Sequence, residues 1–445
     1  MTGACLLSAA AAPGQPVPPE PIPPDFEDAR LFDIGRCQPN GIAAGDVNND
    51  GLMDLVVTHP TIPGLPPCQP FVQSISVLLN NGNWTAPNVG LTVAQVIELT
   101  GCNCRPLRVV LAPMDGDQLP DIVVGDGLGF VHVLINGIPT PGSFGPLPPT
   151  SLGSPQFSVD GIVVKDFNGD GLNDVACASL DDNRVLTMAG DGFGGFDAAD
   201  IDTWFVPNGG TSVRGIDAKR IITPSPGPDI VTTGTTFPGQ LGFLRNISTP
   251  GNIIFDPQVL PITYIDHSLF FPALRLAKID GDNHWDILTI RHFSNARLDT
   301  YFGDGAGNFE HLERDEYAVK QLHECPAPDP DDAPLPGFDV GRINDPGAVN
   351  DVVVISSKGR DFVHIYPGRS DRDLEPERPE AGCPTPTEPP PYNFSIEPAN
   401  QGQNSAEGPV NVVIVDLDDD GYNDLVTTNN ESHNLTILIN ANPPQ

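Results

Sequence analysis

Three short stretches set side-chain oxygens at alternate positions around a glycine: DVNNDGLMD (46–54), DFNGDGLND (166–174) and DLDDDGYND (416–424). In the pattern D-x-[DN]-x-D-G-x-x-D the first, third and fifth side chains can converge on one cation. The glycine permits the sharp turn, and the seventh residue offers a backbone carbonyl. An oxygen-only, flexible, carboxylate-rich shell suits Ca2+ better than zinc, copper or magnesium. The expected side-chain ligands are Asp46, Asn48, Asp50 and Asp54; Asp166, Asn168, Asp170 and Asp174; and Asp416, Asp418, Asp420 and Asp424. Leu52, Leu172 and Tyr422 are expected to add their carbonyls. The ninth-position aspartate is expected to close the shell where an EF-hand uses a glutamate at position twelve. Acidic turns can also do no more than cap strands through Asx-type bonds, but three copies in register favour the cation.

Incomplete copies sharpen the reading. Asp115, Asp117 and Asp121 remain in a second loop, but Pro113 stands first and Gln118 replaces the glycine, so a weaker site is expected there. A fifth loop keeps Asp280, Asp282 and Asp286 behind Lys278, whose ammonium is expected to stand in for the cation. The stretches before Asp229 and Asp351 lack the ligands. Calcium is expected to staple a hairpin, not to catalyse, because these loops contain no acid/base partner.

The elements that position the loops are strands. Each motif ends in an aspartate followed by an apolar run, at Asp54, Asp121, Asp174, Asp229, Asp286, Asp351 and Asp424. Each unit continues with an alternating strand such as SISVLLN, FVHVLIN or NLTILIN, then a small-residue turn and a short outer strand. Seven similar all-β units predict radial repetition, a seven-bladed β-propeller over residues 25–445 with residues 1–24 as an N-terminal segment carrying a Pro-rich arm. The last unit leaves no sequence for its outer strand. The spacing therefore predicts that LFDIG (31–35) completes it and removes an open edge.

Composition narrows the partners. In 445 residues the 50 prolines and 46 glycines fit many short strands joined by turns, and 39% hydrophobic residues suffice for a core. A formal charge of −36 argues against nucleic acid or an anionic membrane surface and suits cations. Weak calcium sites fill where the ion is abundant, so an extracellular, secreted or cell-surface location is expected. The 8 cysteines form no paired CxxC metal pattern; Cys177 reads as core, while loop pairs such as Cys325 with Cys383 can bridge. The start, MTGACLLSAAAAPG, lacks a basic n-region and reads at most as a truncated secretion signal, with Cys5 a candidate for lipid attachment. No apolar run reaches the ~18 residues of a membrane span.

The loop, the apolar strand after it and the turns GDGFGGFD and GDGAGNFE resemble FG-GAP repeats of the VCBS type, as in integrin α-subunit heads and bacterial surface proteins. That resemblance implies a propeller whose calcium loops are structural, with ligands held by other loops. It implies no single function, since such repeats occur in adhesins, lectin-like proteins and polysaccharide-degrading enzymes. The chain has no HExxH, GxSxG or P-loop, and His132 and His364 lie in strands, where a packed side chain is the ordinary reading. The expectation is a non-enzymatic binding or adhesion protein with a glycan or protein ligand. The alternatives are a self-assembling subunit of a filament or sheath and a polysaccharide lyase or hydrolase. The triplets NWT (83–85), NIS (246–248), NFS (393–395), NES (430–432) and NLT (434–436) are glycosylation candidates.

Overall fold

The computed structural model describes residues 25–60, 72–85, 89–99, 104–153, 157–179, 183–206, 213–234, 241–259, 273–291, 297–311, 317–318, 337–343, 351–355, 362–366, 392–396, 406 and 408–441. The Pro-rich arm, Cys5, Cys325, Cys383 and the loop before Asp351 lie outside them. Among the described residues there is no helix, and so none long and apolar enough to cross a membrane.

The strands form seven antiparallel sheets of four or five strands, plus one two-stranded pair, among the described residues. The first sheet runs Ile42–Gly45, Asp54–His59, Ser74–Asn80 and Leu91–Glu98 in simple sequential order. The second is built on Pro106–Ala112, Asp121–Asp126 and Phe130–Ile135, and the third on Val159–Lys165, Asp174–Ser179, Arg184–Gly190 and Phe196–Phe205. The fourth begins at Val213–Lys219, the fifth at Ala273–Ala277, the sixth at Phe338–Gly341 and the seventh at Pro409–Val415. As predicted, the N-terminal strand completes the last sheet: Arg30–Asp33 pairs with Asn434–Leu438. Asp25–Phe26 also pairs with Asn440–Ala441, tying the two ends of the described chain together.

The second strands of the first, second, third, fourth and seventh sheets are buried along their whole length, as in DLVVTH, DIVVGD, DVACAS and DLVTTN. Alternation explains why. Val56 packs toward Ile122 and Val124 of the second sheet, while Leu55 and Val57 pack toward Val426 and Ile437 of the seventh. Likewise Val175 and Cys177 face the second sheet, and Ala176 and Ala178 face the fourth. Successive side chains of a strand point to opposite faces, so a strand held between two sheets must be apolar on both. Burial contributes about 1.5–3 kcal/mol for each large aliphatic side chain.

The first strands of neighbouring sheets touch in chain order, and Pro409–Val415 of the seventh touches Ile42–Gly45 of the first. No sheet closes on itself among the described residues. The architecture, many small antiparallel sheets each packed on its neighbours, is consistent with a β-propeller.

Candidate metal centre

Each acidic loop joins the first strand of its sheet to the second, and the three complete copies share one backbone. Gly51, Gly171 and Gly421 lie at φ of 91°, 88° and 91°, the left-handed region the motif reserves for glycine. Asn49, Gly169 and Asp419, two residues earlier, also have positive φ. The first-position carboxylate turns inward onto its own loop: Asp46 accepts from Asp50 N at 3.1 Å and Gly51 N at 2.9 Å, and Asp416 from Asp420 N at 3.2 Å and Gly421 N at 2.9 Å. The fifth position caps the seventh, Asp50 accepting from Leu52 N, Asp170 from Leu172 N and Asp420 from Tyr422 N, all at 2.8–2.9 Å.

In the seventh sheet, oxygens of Asp416, Asp418 and Asp420 lie within 4.8 Å of one another. Asp418 Oδ1 is buried with no hydrogen-bond partner. Burial and the carboxylates of Asp420 and Asp416 push the Asp418 carboxyl up to about 6. A buried carboxylate oxygen without a donor, beside two more carboxylates, fits a hard cation. In the first and third loops an asparagine holds this position, and its Oδ1 caps the backbone instead: Asn48 accepts from Asp50 N and Asn168 from Asp170 N.

The ninth-position aspartate has a role that reading it only as a ligand misses. Asp424 lies outside that three-carboxylate group, fully buried, and its two oxygens accept from Leu417 N and Asn440 N, each at 2.8 Å. Asp54 does the same with Val47 N and Asn80 N, Asp121 with Met114 N and Asn136 N, and Asp174 with Phe167 N and Gly190 N. Asp229 and Asp286, in loops without a full ligand set, keep the arrangement through Ile221 N, Ile222 N and Asn246 N, and through Ile279 N and Gly303 N. This aspartate latches the acidic loop to the end of the third strand. Burial pushes Asp424 up to about 8 and Asp54, Asp121 and Asp174 up to about 6, while the backbone donors oppose that shift.

A second set of residues carries the latch across to the neighbouring sheet. Asn80 and Asn246 end their third strands and Asn136 and Asn440 lie just past theirs, and their Nδ2 groups donate to Leu417 O, Val47 O, Phe167 O and Ile343 O of the preceding sheet at 2.7–2.9 Å. The signal was present in the sequence, where SISVLLN, FVHVLIN and NLTILIN all end in asparagine. In the third and fifth sheets Gly190 and Gly303 take this position. A Cβ there would come within 2.2 Å of Asn173 O and 2.1 Å of Trp285 O, so only glycine fits.

The second and fifth loops depart from the complete pattern. Gln118 does not take a positive φ, although Asp115 and Asp117 still cap Asp117 N and Leu119 N. Lys278 donates to Asn283 Oδ1 of its own loop and stands 4.9 Å over the Trp285 ring. His284 is exposed, whereas His132 is buried against Asp126 Oδ2 at 3.2 Å, a packed residue. Cys177 is free and buried, and Cys37 and Cys104 are disulfide-bonded. Asn246, Asn430 and Asn434 are buried, which removes three of the glycosylation triplets, while Asn83 is exposed.

Residues 114–177 match the FG-GAP-like repeat family, a span from the second acidic loop to just past the third. No curated protein matches the sequence. Among solved structures, BBS1N, crystallised in complex with ARL6DN and soaked with mercury, is similar with a TM-score of 0.54 and 13% identity, covering 94% of this chain and 98% of that one. An Agrocybe aegerita lectin specific for non-reducing terminal N-acetylglucosamine is similar with a TM-score of 0.50 and 15% identity, covering 78% of this chain and 88% of that one. The repeat match and the propeller-type likenesses together support an FG-GAP-repeat β-propeller.

Proposed function

We propose that the chain is a seven-bladed, calcium-stabilised extracellular propeller that binds a glycan or protein through the face carrying its acidic loops, without catalysis. Strands alternate in direction, so the turns between first and second strands and those between third and fourth strands share one face. The hydrogen bond from Gly194 N to Met114 O, joining a third-sheet turn to the second acidic loop, supports that placement. The observation that carries the reading is what this face leaves exposed: Phe193 is 81% and Ile138 56% exposed, with Ile247 and Met53 on turns of the same kind. Four exposed apolar side chains on turns of one face are candidate contact points for a partner.

The two similar propellers are a protein partner's platform in one case and a glycan-recognising lectin in the other, which supports a binding role on this scaffold. The disulfide-bonded state of Cys37 and Cys104 supports an oxidising compartment. Calcium, where bound, supplies charge compensation for the loop carboxylates. Asp46, Asp166 and Asp416 with their third- and fifth-position partners hold the turn in shape.

The test is retention of the purified protein on immobilised polysaccharides in calcium, with Phe193→Ser and Ile138→Ser in parallel and the chain length of retained material measured. Retention of intact chains that the two substitutions abolish supports a glycan-binding face. Shortened chains overturn the non-enzymatic reading, and retention unchanged in both variants overturns the assignment of the face.

A further inference from the structure

The first strands enclose a cavity of about 240 Å³, and no residue lining it belongs to an acidic loop. Three guanidiniums line it, those of Arg108, Arg214 and Arg275, in a chain with only 22 basic residues. Arg108 commits only its Nε, to Asp160 O at 2.7 Å, and no described residue accepts from its Nη1 or Nη2. Arg275 is held by Asp339 Oδ1 at 3.2 Å and by Leu274 O at 3.0 Å, and Arg214 Nε stands 3.7 Å from Asp160 Oδ1. The Asp160 side chain is only 9% exposed, and its Oδ2 has no hydrogen-bond partner. The other lining carboxylate, Asp217, is satisfied by Ala218 N and Leu276 N.

The strands are bent to deliver these groups. The register slips between Pro106 and Arg108, between Val159 and Gly161, and between Val213 and Ile216, next to or across Arg108, Asp160 and Arg214. A bulge re-aims a side chain at the expense of a ladder bond. Gly161 and Gly215 sit in two of these bulges, where a Cβ would meet Arg214 O at 2.5 Å and Thr233 Oγ1 at 2.6 Å. Burial, together with the charges of Arg214 and Arg275, lowers the Arg108 pKa to about 10. The cluster is therefore electrostatically unfavourable as it stands and favours an anion.

We propose that this cavity binds a small hydroxylated carboxylate of the uronic acid type, with Arg108 and Arg214 holding the carboxylate and Asp160 Oδ2 accepting from a neighbouring hydroxyl. A bare anion would suit the Arg108 guanidinium but stand against Asp160. An ammonium would satisfy Asp160 but add charge to three guanidiniums. A hydroxyl supplies the missing donor without charge. The volume lies just below the roughly 300 Å³ at which sites for drug-sized ligands begin, which suits a single sugar acid.

Isothermal titration at low salt with D-glucuronate, D-glucose and inorganic sulfate tests the assignment. Glucuronate should bind one to one, with glucose and sulfate each weaker by about tenfold or more, since guanidinium and Asp160 contacts are each lost in one of them. Arg108→Met should weaken glucuronate by about tenfold, and Asp160→Asn should narrow its advantage over sulfate. Both variants should keep the parent melting temperature, which shows that they fold. No glucuronate binding, sulfate bound as tightly as glucuronate, or binding unchanged in Arg108→Met would each overturn the proposal. The acidic-loop face plays no part in it, so failure of the retention test leaves this result unaffected.

Discussion

Replacing Asp229 with alanine separates the latch from any cation, because the fourth loop lacks the other acidic ligands. Asp229 is fully buried and accepts from Ile221 N at 3.0 Å, Ile222 N at 2.9 Å and Asn246 N at 2.8 Å. A hydrogen bond to a charged group contributes about 1.5–3 kcal/mol, and an orphaned buried donor costs about 1–3 kcal/mol. Losing three such bonds therefore costs at least about 4 kcal/mol. Against that stands relief of the buried charge, which raises the Asp229 pKa despite its three donors and returns a fraction of the loss. The expected net loss is about 3 kcal/mol, a large part of the ~5–15 kcal/mol that holds a domain folded. Urea unfolding followed by tryptophan fluorescence reads it directly, in calcium and again in chelator. The loss should be equal in the two buffers. A loss below about 1 kcal/mol, or one seen only in calcium, would refute the idea that this aspartate acts on the hairpin itself.

Removing calcium from the parent protein should lower its melting temperature, because unfilled loops set three carboxylates against one another; a melt unchanged by chelator sinks the metal assignment. Asp418→Ala should weaken calcium affinity by more than Asn48→Ala, since Asp418 Oδ1 lacks any protein donor whereas Asn48 Oδ1 caps Asp50 N; equal effects in calcium titration would contradict this. Acidification should stabilise through Asp286, whose carboxyl is pushed up to about 7 by burial first and then by Asp280 and Asp282. Its folded pKa exceeds the unfolded value near 3.8, so the penalty is full above pH 7 and is relieved as pH falls from about 7 toward 4. In chelator, Asp286→Asn should lose that part of the pH dependence of the unfolding midpoint, and an unchanged profile would contradict the assignment. Gly190→Ala should destabilise by more than the ordinary helix- or strand-propensity scale of about 1 kcal/mol, because its Cβ would lie 2.2 Å from Asn173 O; a neutral result in urea unfolding would contradict the close approach.

The repeat order was legible because the marker aspartates and the alternating third strands recur in step, and because NLTILIN left its sheet without an outer strand that Arg30–Asp33 then supplied. The shape of the acidic turns was legible for a similar reason: Gly51, Gly171 and Gly421 each mark a backbone that other residues rarely adopt. Other features required the fold. Asn80 and Asn136 were visible as strand-ending residues, but nothing local says that their amides reach the preceding sheet at Leu417 O and Val47 O. Arg108, Asp160 and Arg214 sit in strands whose alternation is interrupted by bulges, so period-two reading assigns them no shared destination.

The latch and the proposed cation set therefore answer to different constraints, and that explains how the loops vary. Asp229 remains where the other acidic ligands are absent and Asp286 where a lysine takes the first position, because each closes its hairpin through backbone donors. Asp46, Asp166 and Asp416 bind only their own turn, so losing one of them frees no donor in another element. A loop can thus depart from the full acidic pattern, as the second does at Pro113 and Gln118, and still hold its sheet through the Asp121 carboxylate, which accepts from Met114 N and Asn136 N. The same freedom does not extend to the cavity between the first strands. Three guanidiniums gathered from three sheets of a chain with a charge of −36 repel one another at a place where no motif requires them. Solvent at the outer surface would screen that charge at little cost. Their position around an unpartnered Asp160 oxygen makes the cavity between the first strands, and not the acidic loops, the place where this chain departs furthest from what its fold alone demands.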